Sequence, residues 1–239
     1  LYSFLTDKVS YKSIPDAWVN VLLSGLFAII LHYAFTYIGL NLTDSGKTAI
    51  LKQFGALFYV CFSFLFFKSD RPTFAKIFGA ILGFAGVVAI NAGNGGISFG
   101  LGEFFILIAS FCTVASNVVS KKALSSVKPI TMTGVSQLFG GIVLLITGKV
   151  MGGSIAFTLT ASYIMIYICL ASIISYCIWF TVVRDGSLSN LFIIKFAEPA
   201  FACIFGAMIL GESILKLQYL LAFLLISAGI MVGNKKTVK

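Results

Sequence analysis

The sequence ASIISYCIWFTVVRDGSLSNLFIIK at residues 171–195 repeats, with substitutions, the sequence AIILHYAFTYIGLNLTDSGKTAILK at residues 28–52. The alignment extends without a gap to residues 91 and 234, at a constant offset of 143 that places Lys52 on Lys195. Conserved order over this length without an insertion indicates an internal duplication of the chain. The residues of the first copy that are identical in the second are Ala28, Ile30, Tyr33, Ile50, Lys52, Phe58, Phe62, Leu82, Ala85, Gly86 and Asn91.

The composition indicates a membrane protein. The chain is 59% hydrophobic and only 10% charged, with mean hydropathy +1.03, whereas about a quarter of the residues in a soluble domain are charged. A soluble chain of 239 residues could not bury so much apolar surface. All five cysteines lie inside apolar runs without a CxxC pair, so neither a disulfide framework nor a metal site is expected.

Eight apolar segments have about the length, some 20 residues, that crosses a bilayer as a helix. The links between them are too short to hold a soluble domain. The predicted fold is therefore all-α, a polytopic bundle with eight membrane helices in this chain. The predicted spans are Ala17–Leu40, Thr48–Phe67, Phe74–Ile90, Gly102–Ser120, Ile130–Thr147, Ala161–Val183, Leu188–Leu210 and Leu215–Val232.

The distribution of lysine and arginine predicts the orientation of these spans. Twelve of the 17 basic residues fall in links, in termini or in the first turn of a span on one side of the membrane and three on the other, and the side with the excess is cytoplasmic. We therefore predict a multi-pass protein of the cell membrane with a cytoplasmic C-terminus. The formal net charge of +9 is explained by this orientation, so no nucleic-acid partner is expected.

The duplication predicts two repeats of unequal completeness. Residues 1–93 hold three of the spans and residues 101–234 hold five. Applying the offset to the start of the second repeat gives a position before residue 1, so we expect two further helices, about 40 residues, ahead of Leu1. A five-helix repeat is odd in number, so its two copies cross the membrane in opposite directions. This is the 5+5 inverted repeat of secondary transporters, in which the substrate binds near the midplane between the copies.

The second repeat also resembles a known family. Residues Ile194–Ala200, Leu210-Gly211-Glu212 and Ala222–Ile230 resemble the last two helices of EamA-type transporters of the drug/metabolite transporter superfamily. Leu101-Gly102-Glu103 and Gln137–Gly141 resemble the start of the same repeat.

The resemblance covers nearly the whole chain, although the first copy has Ala56 where the proline falls and Ser69 where the glutamate falls. It implies a ten-helix transporter whose central cavity opens alternately to each side. It also implies export of an amino acid or a related metabolite.

Lys52 and Lys195 lie inside predicted spans and are the two basic residues that the distribution between the two sides of the membrane does not include. A charge near the bilayer centre costs several kcal/mol, so a lysine retained there usually faces a wet cavity or a partner. Snorkelling to the interface is an open alternative for Lys52, and an internal ion pair with Glu198, three residues on, is an open alternative for Lys195. The functional hypothesis is that one or both lysines attract an anionic group of the substrate.

Uncharged polar residues recur inside other spans at helical spacing. Ser110, Thr113, Asn117 and Ser120 form one stripe on the fourth span. Interhelical hydrogen bonding is the alternative to ligand contact for each such residue. His32, the single histidine, could carry protons or could be a packing residue. The predicted substrate-binding residues are Lys195, Lys52, Asn117, Gln137, Tyr176 and His32.

Three functions remain possible on the sequence alone. The first is a secondary transporter for a small metabolite, an amino acid or related compound as the resemblance implies. The second is an exchanger of phosphorylated sugars or nucleotide-linked sugars, and the third is a membrane scaffold without transport. We find no HExxH, Walker or suitable GxSxG motif, so an enzyme is not predicted, and neither a metal nor another cofactor is expected. The expected partners are a small-molecule substrate and the lipid bilayer, and a homodimer is left open.

Overall fold

The structure is a computed structural model that describes residues 15–43, 45–90, 100–154, 158–210 and 217–235. The regular elements in these residues are all helices. A helix satisfies its own backbone hydrogen bonds, and lipid offers no alternative partner for them, so apolar segments of this length fold as helices. The predicted all-α membrane bundle is confirmed.

The helices follow the predicted spans closely. In chain order they are α1 (Pro15–Gly25), a π-helical segment (Leu26–Leu31), α2 (His32–Leu40), α3 (Ser45–Phe62), a 3₁₀ segment (Ser63–Leu65), α4 (Phe74–Ile90), α5 (Leu101–Ala123), α6 (Pro129–Val150), α7 (Leu159–Asp185), α8 (Leu188–Lys195), α9 (Glu198–Leu210) and α10 (Leu217–Gly233).

Six stretches of these helices are long and apolar enough to cross a membrane. The other two, α4 and α10, are apolar helices of 17 residues each. One predicted span differs in continuity, because Leu188–Leu210 consists of the two helices α8 and α9. Residues 91–99, at the boundary between the two predicted repeats, and the motif residues 211–212 lie outside the described part of the chain.

The described extents of equivalent helices correspond at the offset found in the sequence. Adding 143 to the first and last residue numbers of α4, Phe74 and Ile90, gives the described limits of α10, Leu217 and Gly233. The same addition to Ser45, the first described residue of α3, gives the start of α8 at Leu188. Residues 44, 91–99 and 211–216, which adjoin three of these limits, lie outside the described part of the chain.

The packing divides the chain into two compact units, which are described separately. The first comprises Leu1–Tyr33 and Ala115–Gly186, and the second Ala34–Val114 and Ser187–Lys239. The unit boundaries differ from those of the predicted repeats 1–93 and 101–234. The repeat boundaries stay a prediction.

In the second unit, α4 and α10 pack through glycines. A Cβ placed on Gly79 would lie 2.6 Å from the backbone of Gly229 and of Gly233, and a Cβ on Gly86 would lie 2.9 Å from the carbonyl oxygen of Ala222. The contacted residue number falls as the α4 number rises, so the two helices run antiparallel. These glycines are therefore close-packing residues, as expected of membrane helices whose backbones approach closely.

In the first unit, α6 packs against α1 and the π-helical segment in a similar way. A Cβ on Gly25 would lie 2.8 Å from the carbonyl oxygen of Ser136, and a Cβ on Gly140 would lie 2.6 Å from Cβ of Ile29. Each of these glycines thus leaves space that the backbone or a branched side chain of the opposing helix occupies.

A buried carboxylate fixes the start of α8 in the second unit. Asp70, which follows α3 and is only 4% exposed, accepts hydrogen bonds from Lys76 Nζ (2.8 Å), Ser187 Oγ (2.8 Å) and the backbone N–H of Ser189 (2.9 Å). Desolvation alone would raise the pKa of Asp70, but the hydrogen bonds from these three partners and the charge of Lys76 together hold it below its ordinary value. The first turn of a helix has unsatisfied N–H groups and a positive dipole end, so Asp70 is suited to hold α8 in place.

Candidate functional site

The six predicted site residues lie in both units. Lys52 and Lys195 belong to the second unit, and His32, Asn117, Gln137 and Tyr176 belong to the first. Each group is described within its own unit.

The position of Lys195 is set by a break in the helix. Pro199 has no N–H to donate to the carbonyl of Lys195, and its ring crowds that carbonyl. Accordingly α8 ends at Lys195 and α9 begins at Glu198. Between them the N–H groups of Phe196 and Ala197 bond to carbonyls only three residues back, at 3.3 and 3.0 Å. The interruption at Pro199 thus separates α8 from α9.

The break leaves Lys195 and Glu198 facing one another. Lys195 Nζ lies 3.9 Å from Glu198 Oε2, with side-chain exposures of 30% and 65%. This distance is at the limit of an ion pair and exceeds that of a direct hydrogen bond. Because the Glu198 carboxylate is largely exposed, it can also bind a second cationic group.

Lys52 belongs to the same charge cluster. It lies on α3, has an exposed side chain and experiences the charges of both Glu198 and Lys195. We call Lys52, Lys195 and Glu198 the charge cluster; it carries two positive charges and one negative charge. The two lysines related by the offset of 143 are therefore brought into electrostatic range of one another.

The first unit holds a set of uncharged polar contacts. Asn117 is 5% exposed, and its Oδ1 accepts a hydrogen bond from Trp179 Nε1 at 2.8 Å. The side chains of Tyr33 and Tyr176 lie within electrostatic range of one another. Tyr33 and Tyr176 also occupy equivalent positions in the two copies, so they are a second repeat-related pair within such range.

Gln137 differs from its neighbours because its Nε2 is buried and has no hydrogen-bond partner among the described residues. A buried amide without a partner is costly in free energy, so such a group usually serves a water molecule or a ligand. Gln137 is the residue of the first unit best suited to donate to a bound molecule.

His32 marks the end of an irregular stretch of helix. It is the first residue of α2, its N–H donates to the carbonyl of Phe27 five residues back, and its ring meets that of Tyr33 edge-on at 5.4 Å. A π-helical turn is uncommon and occurs frequently at functional sites. This geometry is compatible with both hypotheses for His32, a proton carrier and a packing residue.

The polar stripe of the fourth span mediates helix packing in both units. Ser120 Oγ lies 2.7 Å from Ser24 Oγ in the first unit, and Ser110 Oγ accepts from the N–H of Gly55 at 2.7 Å in the second. Thr113 Oγ1 returns to the carbonyl of Ala109 in its own helix, at 3.3 Å. The Ser120 and Ser110 contacts correspond to the interhelical alternative for the stripe, whereas the Thr113 contact lies within its own helix.

Three residues with contacts to the candidates were absent from the predicted site. Trp179 donates to Asn117, Tyr33 lies within electrostatic range of Tyr176, and Glu198 completes the charge cluster. The offset alignment contained a signal for Tyr33, because it is identical in the two copies. No sequence pattern connects Trp179 to Asn117, since that contact depends on how two helices pack. Among the described residues, no group of three His, Cys, Asp or Glu side chains could hold a metal ion.

The chain is similar to known membrane transporters. Residues 2–92 and 100–234 match the model of the EamA-like transporter family. A protein of Bacillus subtilis named uncharacterized transporter YvbV is 30% identical over 228 residues, which cover 94% of this chain and 74% of that protein. A chloroplastic WAT1-related protein of Arabidopsis thaliana is 29% identical over 87% of this chain, but this chain spans only 54% of its length.

The fold also matches a solved structure. A protein described as "Crystal structure of protein" superposes with a TM-score of 0.77 at 18% sequence identity, over 97% of this chain and 82% of that one. At this identity the likeness concerns the fold. The family match covers nearly all of the chain, and the names of its relatives indicate a transporter. The chain therefore belongs to the EamA-like transporter family, a family of multi-pass membrane proteins.

Proposed function

We propose that the protein is a secondary transporter of the cell membrane that exports an amino acid or a related small metabolite by alternating access. The charge cluster is the observation that carries this proposal. It combines Lys52, Lys195 and Glu198 inside apolar spans, at positions where the duplication has kept both lysines.

The chemistry of the cluster fits a zwitterion. Charged side chains in a bilayer are expensive and are therefore usually functional. A substrate carboxylate would be attracted to Lys52, and a substrate ammonium group to the exposed carboxylate of Glu198. Because the cluster contains both signs, a zwitterionic ligand could pair with a lysine and with the carboxylate without changing the net charge of the site.

Two sets of contacts support an inverted repeat and hence alternating access. If 143 is added to Gly79 and subtracted from Gly229, their contact becomes one between Ala222 and Gly86, which is also observed. A two-fold axis that exchanges the copies produces this pairing, and the antiparallel packing of α4 and α10 requires an axis perpendicular to the helices. The copies would then cross the membrane in opposite senses, as in transporters that alternate between two open states.

His32, Asn117, Gln137 and Tyr176 remain proposed as uncharged ligands. The unpartnered Nε2 of Gln137 supports its assignment most directly. A bound substrate shifts the equilibrium between the inward-open and outward-open states only through contacts that differ between them. Uncharged polar side chains are suited to contacts that differ between the two states, because they can form or break a hydrogen bond at a small cost in free energy.

The proposal is tested by ligand binding and transport with the full-length protein. A thermal-stabilisation screen comparing amino acids with hexose phosphates and UDP-glucose identifies the substrate class, and uptake into proteoliposomes follows. Lys195→Ala is expected to reduce uptake of the stabilising amino acid about tenfold or more, since a charge-assisted hydrogen bond contributes about 1.5–3 kcal/mol.

Lys149→Ala is the matched control, because Lys149 is an exposed lysine outside the charge cluster. Normal uptake by a folded Lys195→Ala variant would refute the role of Lys195. If no amino acid either stabilises the protein or enters the vesicles, amino-acid transport is excluded.

A second candidate substrate class is a phosphorylated or nucleotide-linked sugar. The proximity of Lys52 to Lys195 favours it, because two ammonium groups suit a phosphate. Stabilisation by hexose phosphate or UDP-glucose, together with an increase in affinity on Glu198→Gln, would select this class. Absence of uptake for both classes would favour the third alternative, a scaffold without transport.

A further inference from the structure

Ser110 makes an unusual pair of contacts with the backbone of α3. Its hydroxyl donates to the carbonyl of Lys52 at 2.9 Å and accepts from the N–H of Gly55 at 2.7 Å. Ser110 is 2% exposed, and all three residues belong to the second unit. One hydroxyl therefore bridges two backbone groups three residues apart, in the turn that carries a lysine of the charge cluster.

The contact depends on the absence of a side chain at position 55. A Cβ on Gly55 would lie 2.6 Å from both the carbonyl oxygen and the hydroxyl of Ser110, closer than carbon and oxygen can approach. Glycine at this position thus lets the backbone of α5 come directly against α3. In a regular helix the N–H of Gly55 would donate to the carbonyl of Leu51, so the serine hydroxyl competes with the helix for this donor.

A second contact fixes the register of α5 against the segment before Lys52. Glu103 lies seven residues before Ser110, two helical turns along the same face. Its carboxylate accepts from Thr43 Oγ1 at 2.7 Å and from Lys47 Nζ at 3.5 Å. Two turns of α5 thus hold successive parts of the chain from Thr43 to Gly55, and the carbonyl of Lys52 is attached at the second of them.

The equivalent turn of the second copy is also irregular, for a different reason. The offset places Lys52 and Gly55 on Lys195 and Glu198, the residues on either side of the break between α8 and α9. The second copy departs from regular helix there because of Pro199, whereas the first has Ala56 in place of the proline and keeps α3 continuous. Both lysines are therefore carried by a turn whose backbone bonding is special.

We propose that Ser110 is a positioning residue that directs Lys52 toward the substrate, by bridging the Lys52 carbonyl and the Gly55 amide. This inference rests on the proposed function, in which Lys52 is a substrate ligand. Ser110 acts through the backbone of α3, so it sets where the ammonium group is presented without contacting the substrate itself.

The direct test measures the reactivity of Lys52 in the purified full-length protein. Acetylation by a water-soluble N-hydroxysuccinimide ester is followed by mass spectrometry, with the exposed Lys122 as internal reference. Ser110→Ala is expected to raise the acetylation of Lys52 relative to Lys122, because the turn that carries it loses an attachment. Ser110→Thr, which keeps a hydroxyl, is expected to stay near wild type.

Two further variants control for structural damage. Ser136→Ala removes an equally buried hydroxyl that bonds to the carbonyl of Met132 in its own helix, and it is expected to leave Lys52 reactivity unchanged. In Gly55→Ala the added methyl group on α3 pushes against Ser110 and forces α3 and α5 apart. This variant is expected to act like Ser110→Ala. Unchanged Lys52 reactivity in both Ser110→Ala and Gly55→Ala would overturn the proposal, whatever their effect on stability.

Ligand affinity separates this proposal from the proposed function. With the amino acids of the stabilisation screen as probes, Ser110→Ala is expected to weaken binding about fivefold, the factor that one net hydrogen bond contributes. This loss should disappear in a Lys52→Ala background, because a positioning residue has no effect once the side chain that it positions is gone. If Ser110→Ala still weakens binding fivefold in the Lys52→Ala background, Ser110 does not act by positioning Lys52. If Lys52 reactivity changes but Lys52→Ala binds normally, Ser110 positions Lys52 and the substrate role of Lys52 is wrong.

Discussion

Asp70 provides a quantitative test of how the second unit holds α8, the helix that ends at Lys195. Replacing it with Asn keeps the shape of the side chain and removes its negative charge. The carboxylate is 4% exposed and is paired with Lys76, which has a side-chain exposure of 15%. Removing one partner of a buried ion pair leaves the other charge uncompensated and typically costs about 3–5 kcal/mol.

We expect the lower end of that range for Asp70→Asn, about 3 kcal/mol, because an amide oxygen can still accept from Ser187 or Ser189. For a chain of this size, 1 kcal/mol shifts the unfolding midpoint by about 2–4 °C, so the expected decrease is about 6–12 °C. The measurement is thermal unfolding in detergent, followed by the fluorescence of the two tryptophans, Trp18 and Trp179.

Asp185→Asn is the matched control for this substitution. Asp185 is also hydrogen-bonded to a basic residue, Arg184, but its side chain is 64% exposed. Solvent screening makes such a pair a poor contributor to stability, so no measurable shift is expected. Equal shifts in Asp70→Asn and Asp185→Asn would refute the reasoning from burial.

The pH dependence of the Asp70 contribution has a definite sign. Its pKa is lowered in the folded protein, so the folded state favours the ionised carboxylate. The stabilisation is therefore fully present above the pKa of the unfolded chain, about 3.9, and is lost as the pH falls through the lower folded value. The difference in midpoint between wild type and Asp70→Asn should be constant from neutral pH to about 5 and should decrease below about 4. A difference that grows on acidification would contradict the assigned direction.

Two further predictions concern the glycine contacts and the orientation. Gly79→Ala is expected to destabilise the protein by about 1–3 kcal/mol, because the added methyl group meets backbone atoms of α10 that cannot move aside. Gly148→Ala is the control. Its methyl group meets nothing within 4 Å, so it should be neutral or slightly stabilising in the same thermal assay. The C-terminus is expected to be cytoplasmic, so a C-terminal fluorescent reporter that folds only in the cytoplasm should be active and a C-terminal alkaline phosphatase fusion inactive. The reverse pattern would overturn the orientation derived from lysine and arginine.

The helices were predictable because their signal is local. A run of apolar residues long enough to cross a bilayer must bond its own backbone, so α4 was predicted with the bounds that it has, Phe74–Ile90. Pro199 is likewise a local signal, because a proline inside an apolar span interrupts its helix. The extent of this interruption, a full separation at Phe196 and Ala197, depends on what packs around the turn and was not predicted.

The contacts of the candidate site were less predictable. The polar stripe on α5 was recognised as a single face, but its members have different partners: Ser110 bonds to the backbone of α3, and Asn117 accepts from Trp179. Helical spacing in the sequence shows which side chains share a face, whereas the partner of each side chain depends on how closely another helix approaches. Gly55, which permits the approach at Ser110, is informative only once both helices are in place.

The sequence by itself determined the membrane class, the duplication and the approximate extent of the helices. It also paired Lys52 with Lys195 through the alignment offset. Hydrophobicity, the ability of a helix to satisfy its own backbone hydrogen bonds, and an alignment offset are all properties of the linear sequence. Only the tertiary structure decided that these two lysines share a charge cluster with Glu198, that Asp70 is buried at the start of α8, and that Gln137 Nε2 has no hydrogen-bond partner in the described part of the chain. The physical reason is that burial and electrostatic range depend on distances between segments far apart in the sequence. Packing between helices sets those distances.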